Sequence, residues 1–220
     1  VTATTFIRDT CFAARTIICR AKSSELTPAK EVSRMNVVAV TGYKPTELGI
    51  FDQKHPGINI LKAAYRERMI RLIEDMGTTW FITSAAPGCE LWACEVVLEL
   101  KHDYPEIRLG ILLPFLEQES KWKEPVQAQY LAVLNQADFV DAISQKPYEN
   151  PSQFRNKTEF MIQKSQGLLS VYDEEHGGSA KYLVERAKLE MERSDYQLFL
   201  ITQDDLAMME QEQNYNDQWE

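Results

Sequence analysis

Six short apolar runs punctuate the chain, and amphipathic segments fill the intervals between them. The runs are Val37–Thr41, Trp80–Thr83, Leu109–Leu113, Phe139–Ile143, Leu168–Tyr172 and Leu198–Ile201. Each is continuously rather than alternately apolar, which predicts strands buried on both faces. In the first interval Leu61, Tyr65, Met69, Leu72, Ile73 and Met76 recur at helical spacing, and Arg66, Glu67, Arg68, Arg71 and Glu74 take the other side. Leu91, Cys94, Val97 and Leu98 repeat the pattern ahead of Lys101-His102. Val126, Tyr130, Val133 and Leu134 predict a third helix, Phe154, Met161 and Ile162 a fourth, and Tyr182, Leu183, Ala187 and Met191 a fifth. From Asp204 the chain is acidic and rich in Gln and Asn, which predicts a short helix that frays. Strands alternating with helices over short connections predict an α/β fold, a doubly wound parallel sheet with right-handed crossovers.

Composition narrows the function classes. The chain has 220 residues, of which 44% are hydrophobic and 26% charged, ordinary values for one globular domain with a continuous core. No apolar run is long enough to span a bilayer, and a cytoplasmic protein is expected. The net charge of −9 is unevenly spread. Residues 1–34 carry six basic and three acidic residues, a balance of +3, which leaves −12 for the remainder. That balance argues against nucleic acid and anionic membrane as partners. The basic, Thr- and Ala-rich segment 1–34 has the composition of a transit peptide. Met35 stands directly before the first strand, however, so residues 1–34 are expected to be a disordered or non-native extension. A single domain over 35–206 and an acidic tail over 207–220 follow.

Cys11, Cys19, Cys89 and Cys94 form no C-x-x-C pair, and His55, His102 and His176 lie at no metal-ligand spacing from them. Reduced thiols and no metal site are expected. There is no Walker-type loop, no G-x-G-x-x-G fingerprint and no nucleophile–histidine spacing.

Candidate chemistry sits in four loops that follow predicted strand ends, where the crevice of a doubly wound sheet binds ligands. Thr41-Gly42-Tyr43, with Glu47 further on, offers a glycine turn and polar groups for a phosphate or ribose; a plain turn explains the same residues equally well. Ser84 and Gly88 lie in a small-residue loop that enters a helix, a potential anion site. Glu90 suits either a ribose contact or the helix dipole. Pro114 and Phe115 open the third loop, and Phe115 and Trp122 are candidates to stack on a base, although Trp122 suits a core position better. Gly177-Gly178-Ser179 precedes a helix, with Ser179 as its cap and Lys181 as a phosphate neighbour.

Taken together, Val40–Phe51, Gly88–Glu95, Leu113–Glu119, Lys121–Pro125, Lys146–Phe154 and Leu169–Asp173 resemble the YpsA-like family of uncharacterised bacterial proteins in the SLOG superfamily. The likeness runs from about Met35 to about Leu206. It implies a Rossmann-like fold and a pocket for nucleic acid or for a nucleotide-derived ligand such as ADP-ribose or NAD. It also implies a regulatory role linked to bacterial cell division, with a protein partner there. Ala85 stands where the family usually has glycine, Pro87 where it has a Leu-like residue, and Thr158 and Gln163 where Asn and Asp are usual. The phosphoribohydrolase loop P-G-G-x-G-T survives only as Pro87-Gly88-Cys89-Glu90. The expected function is therefore a non-enzymatic sensor, possible as a homo-oligomer. The alternatives are an N-glycosidase using Glu90 or Glu117, and a protein-interaction module using the acidic surface.

Overall fold

The computed structural model describes residues 35–217. The expectation about residues 1–34, together with Cys11 and Cys19, falls outside the described residues. Six strands form one parallel sheet: β1 (Val37–Thr41), β2 (Trp80–Thr83), β3 (Arg108–Leu113), β4 (Phe139–Ala142), β5 (Gly167–Val171) and β6 (Gln197–Ile201). Their spatial order is β4-β3-β2-β1-β5-β6, with parallel pairing throughout. The predicted doubly wound sheet is the observed one.

The helices are α1 (Gly57–Met76), α2 (Cys89–Leu100), α3 (Glu124–Leu134), α4 (Ser152–Lys164), α5 (Lys181–Met191) and α6 (Gln203–Asp217), with a 3₁₀ turn at Pro45–Leu48. Strand order runs outward from β1 to β4, then reverses to β5 and β6. Right-handed crossovers place helices on opposite faces when that direction reverses. Accordingly α1, α2 and α3 pack side by side, α6 returns onto α1, and α4 packs with α5. The reversal lies between β1 and β5, so their carboxyl ends open the crevice of the sheet.

The strands are buried because their aliphatic side chains face helices on both sides. Val38, Ala39, Val40, Phe81, Leu109, Ile111, Leu168 and Leu169 are all fully enclosed. Tyr65 and Met69 of α1 and Tyr130 of α3 complete the interior beside them. Removing a side chain of this size from water contributes about 1.5–3 kcal/mol. The tail departs from the short, fraying helix expected of it. Helix α6 continues to Asp217, because Leu206 and Met209 pack on the core and Arg68 pairs with Asp205 at 2.9 Å.

Candidate functional site

A cleft of about 580 Å³ lies over the carboxyl ends of the central strands. All four predicted loops contribute to it: Thr41, Gly42 and Lys44 after β1, Ser84, Ala86, Pro87 and Glu90 after β2, Pro114 and Gln118 after β3, and Ser179 after β5. Two helices complete the enclosure. Helix α4 supplies Phe154, Arg155, Lys157, Thr158 and Glu159, and α5 supplies Tyr182, Leu183 and Arg186.

Glu90 sits at the centre of the loop wall, in the first turn of α2, and is 6% exposed. Its carboxylate accepts hydrogen bonds from the hydroxyls of Thr41 at 2.8 Å and Thr83 at 3.2 Å. It also accepts the Ser84 N–H at 3.1 Å, the Ala86 N–H at 3.2 Å and the Ser84 hydroxyl. A carboxylate offers roughly four lone-pair sites, so five donors occupy it fully. Burial would push this carboxyl up, but the Lys157 ammonium, the Ser84 and Thr41 hydroxyls and the Ala86 N–H hold it below the ordinary range. Lys157 reaches the same cluster, with Nζ 3.4 Å from Ser84 Oγ. The expected ribose contact at Glu90 is thus taken by protein donors. The helix-dipole reading accounts only for its position in the first turn.

The glycines of the loop wall answer to packing. A Cβ on Gly42 would stand 2.5 Å from Cys89 Cβ and 2.8 Å from the Tyr65 hydroxyl. Tyr65 needs that proximity, because its hydroxyl donates to the Thr41 carbonyl at 2.7 Å. Gly88 has φ +101°, and a Cβ there would meet the Tyr43 carbonyl oxygen at 2.6 Å. The helix entrance offers fewer free donors than its sequence suggested. The Cys89 N–H bonds the Tyr43 carbonyl, and the Ala86 N–H bonds Glu90. Burial pushes the Cys89 thiol up to about 12, which keeps it protonated and unreactive at neutral pH.

Half of the predicted residues lie off the cleft. Thr41, Gly42, Ser84, Glu90, Pro114 and Ser179 line it, whereas Tyr43, Glu47, Gly88, Phe115, Gly177 and Gly178 do not. Tyr43 is buried and links two loops: its hydroxyl accepts the Asp173 N–H at 2.8 Å, and its ring stacks on Tyr172. Gly178 packs under that ring, where a Cβ would come within 2.7 Å. Glu47 accepts the N–H and the hydroxyl of Ser179, each at 2.7 Å, and the Lys44 N–H at 2.7 Å. Burial pushes its carboxyl up, but these three donors and the Lys44 charge together outweigh it and hold the group below the usual range. The anion cradle predicted at Gly177-Gly178-Ser179 therefore already holds a carboxylate, that of Glu47. Ser179 does not cap α5, whose N-cap is Ala180. Lys181 pairs with Glu185 at 3.5 Å rather than facing the cleft.

The aromatic expectation moves to different residues. Phe115 packs against Tyr148 and Phe154, with ring centroids 5.2 and 5.4 Å away. Trp122 sets its edge on Tyr130 at 5.1 Å, which is the core position that suited it. The exposed rings at the cleft are Phe154, 47% exposed, and Tyr182, 74% exposed. Glu117 stands outside the lining.

The cationic helix wall is what the sequence reading missed. The lining carries Lys44, Arg155, Lys157 and Arg186 against Glu90 and Glu159, a local balance of +2 in a chain of net charge −9. Arg186 is held by Glu159 and Glu190, both at 2.9 Å, and Lys157 faces Glu90. Among the described residues, Lys44 and Arg155 make no ion pair. Arg155 and Lys157 read as the solvated face of an amphipathic helix. The available signal was their position in the first turns of the helix after β4, within an acidic chain. No group of three or more His, Cys, Asp or Glu among the described residues is arranged to hold a metal ion. No helix among them is long and apolar enough to cross a membrane.

Comparison with known proteins agrees with the resemblance seen in the motifs. The YpsA family model, described as the YspA SLOG family, matches residues 38–206. A UPF0398 protein of Halalkalibacterium halodurans is 48% identical over 183 residues, covering 83% of this chain and 96% of the relative. A UPF0398 protein of Bacillus cereus is 48% identical over 182 residues, covering 83% of this chain and 98% of the relative. Among solved structures, DNA processing protein A from Helicobacter pylori aligns with a TM-score of 0.45 at 14% identity, over 80% of this chain and 69% of that one. That protein is described by its single-stranded DNA binding mode. The expectation against nucleic acid as a partner is corrected on the charge of the cleft. Its physical basis was whole-chain charge, and whole-chain charge does not describe a cleft whose own lining is cationic.

Proposed function

This chain belongs to the YspA SLOG family, and from that premise we propose that its cleft binds a phosphorylated, nucleotide-derived small molecule such as ADP-ribose or NAD. Residues 35–206 are the operating unit, a sensor or regulator in the bacterial cytoplasm, and a protein partner in cell division reads the state of the cleft. The observation that carries the reading is the excess of cations in the lining, four against two carboxylates. Arg155 and Lys44 line a concave site and make no ion pair among the described residues, and Lys157 stands beside them. Cations in a low-dielectric concavity concentrate anions of matching shape. The cleft volume of about 580 Å³ suits a ligand of nucleotide size, since small-molecule sites span about 300–1,000 Å³.

A sensing role fits this arrangement better than glycosidic cleavage does. The carboxylate nearest the cleft floor, Glu90, has its acceptor capacity filled by five protein donors. A carboxylate that steadies a developing ribosyl cation needs an oxygen directed at the substrate.

Isothermal titration of the folded protein tests the reading, with ADP-ribose, NAD, AMP and a single-stranded oligonucleotide as titrants. Saturable binding of a small nucleotide is expected, weakened severalfold by Arg155→Met, the loss of one of the cations that make no ion pair. Heat from none of the nucleotides, with circular dichroism unchanged, overturns it. Binding of the oligonucleotide alone would reassign the cleft to nucleic acid.

A further inference from the structure

The exposed rings at the cleft mouth have no structural task that explains their exposure. Phe154 lies in the first turn of α4 and Tyr182 in the first turn of α5, two helices that pack on each other beside the crevice. Both rings line the cleft. Phe154 is fixed from behind by Phe115 at 5.4 Å and Tyr148 at 6.0 Å, yet remains 47% exposed. Tyr182 is 74% exposed and has no ring partner among the described residues. A large aromatic side chain left open to water forgoes the favourable free energy of burying its apolar surface, and an aromatic face accepts any planar base. Arg155 directly follows Phe154 in sequence, and Lys157 lies one turn further along α4, toward Ser84 and the floor. The exposed part of this wall therefore carries the two rings and Arg155, and the half-buried Lys157 lies toward the floor.

We propose that Phe154 and Tyr182 form a base-stacking platform, so that a nucleotide enters with its phosphates toward Lys157 and its base at the mouth. This inference rests on the anionic-ligand reading of the same cleft and adds a requirement for a planar base. The floor is suited to the hydroxyl-bearing part between them. Thr41 spends its hydroxyl proton on Glu90, which leaves oxygen lone pairs to accept from a ribose hydroxyl, while the Ser84 oxygen accepts from Lys157.

The discriminating measurement compares ADP, GDP and UDP with ribose 5-phosphate, titrated into the wild-type protein, Tyr182→Ala, Tyr182→Phe and Phe154→Ala. The nucleotides are expected to bind the wild type more tightly than ribose 5-phosphate does. Tyr182→Ala should weaken the nucleotides about tenfold or more, the usual effect of removing a stacking ring, and leave ribose 5-phosphate unchanged. Tyr182→Phe should retain wild-type affinity, because the stacking face is retained. Tyr182 is largely solvent-exposed, so its replacement leaves the fold intact, and Phe154→Ala tests the second ring independently. If the sugar phosphate and the nucleotides bind alike in every variant, the base platform is overturned and the anionic cleft stands. If none of these titrants binds the wild type, the anionic reading and the platform fall together.

Discussion

On the loop wall of the cleft, Thr41, Thr83, Ser84, Ala86 and Glu90 are bonded to one another, and Gly42 and Gly88 sit under neighbouring atoms closer than a Cβ would allow. On the helix wall, Phe154, Arg155 and Tyr182 face the same space with few protein partners. The first wall is finished as structure. The second has donors, charge and aromatic surface left over. Residues with the look of a binding motif thus hold the site's shape, while the side chains able to bind come from helices whose sequence reads as ordinary surface. The contrast predicts that substitutions on the loop wall act on stability and substitutions on the helix wall act on binding.

The largest effect is expected at Glu90. Glu90→Ala removes the acceptor of five hydrogen bonds and strands buried donors around Lys157, a loss of about 3–5 kcal/mol. Urea unfolding followed by circular dichroism measures it; a loss under about 1 kcal/mol would show that the hub does not hold the loop wall. The same group sets an acid limit. Its folded pKa lies below the ordinary carboxylate value, so its contribution is complete at neutral pH. It declines as pH falls through about 4.3, the unfolded value, and is gone once pH passes below the folded one. Glu90→Ala should flatten that part of the wild-type stability curve.

A pair of glycines divides the loop wall further. Gly88→Ala sets a Cβ 2.6 Å from a backbone carbonyl oxygen at φ +101°, and about 2–4 kcal/mol of destabilisation is expected from clash and strain together. At Gly177, φ is +65° and nothing lies within 4 Å of an added Cβ. Gly177→Ala should therefore cost only the left-handed conformation, about 1 kcal/mol. Equal losses at the two sites, read as chemical denaturation midpoints, would remove close packing as the reason for Gly88.

The strands were legible because continuous aliphatic runs report burial on both faces. β1 and β2 begin and end where the apolar runs do. β3 begins one residue early at Arg108, whose backbone N–H bonds the Thr79 carbonyl while its side chain disguises the strand. The roles of Tyr43 and Glu47 were not legible. Their partners, Asp173 and Ser179, lie 130 and 132 residues away, and a polar loop at a strand end looks the same whether it binds a ligand or another loop. Arg155 and Lys157 were hidden for a topological reason. Only the reversal of strand order between β4 and β5 swings α4 over the ends of the central strands, and a local helical pattern carries no trace of that.

Arg155 gives the smallest expected effect on stability and the sharpest test of the two walls. It is exposed and makes no ion pair among the described residues, so Arg155→Met should shift unfolding free energy by no more than about 0.5 kcal/mol. The same change should weaken nucleotide binding severalfold and reduce its sensitivity to salt, because one of the screened charges is gone. Titration of ADP at two ionic strengths, beside a denaturation curve, reads both quantities. A stability loss comparable to that of Gly88→Ala would make Arg155 structural and erase the distinction between the walls. Unchanged binding and salt dependence would leave the cationic lining without its proposed task. Weaker binding at constant stability is the result that only a helix wall reserved for a ligand produces.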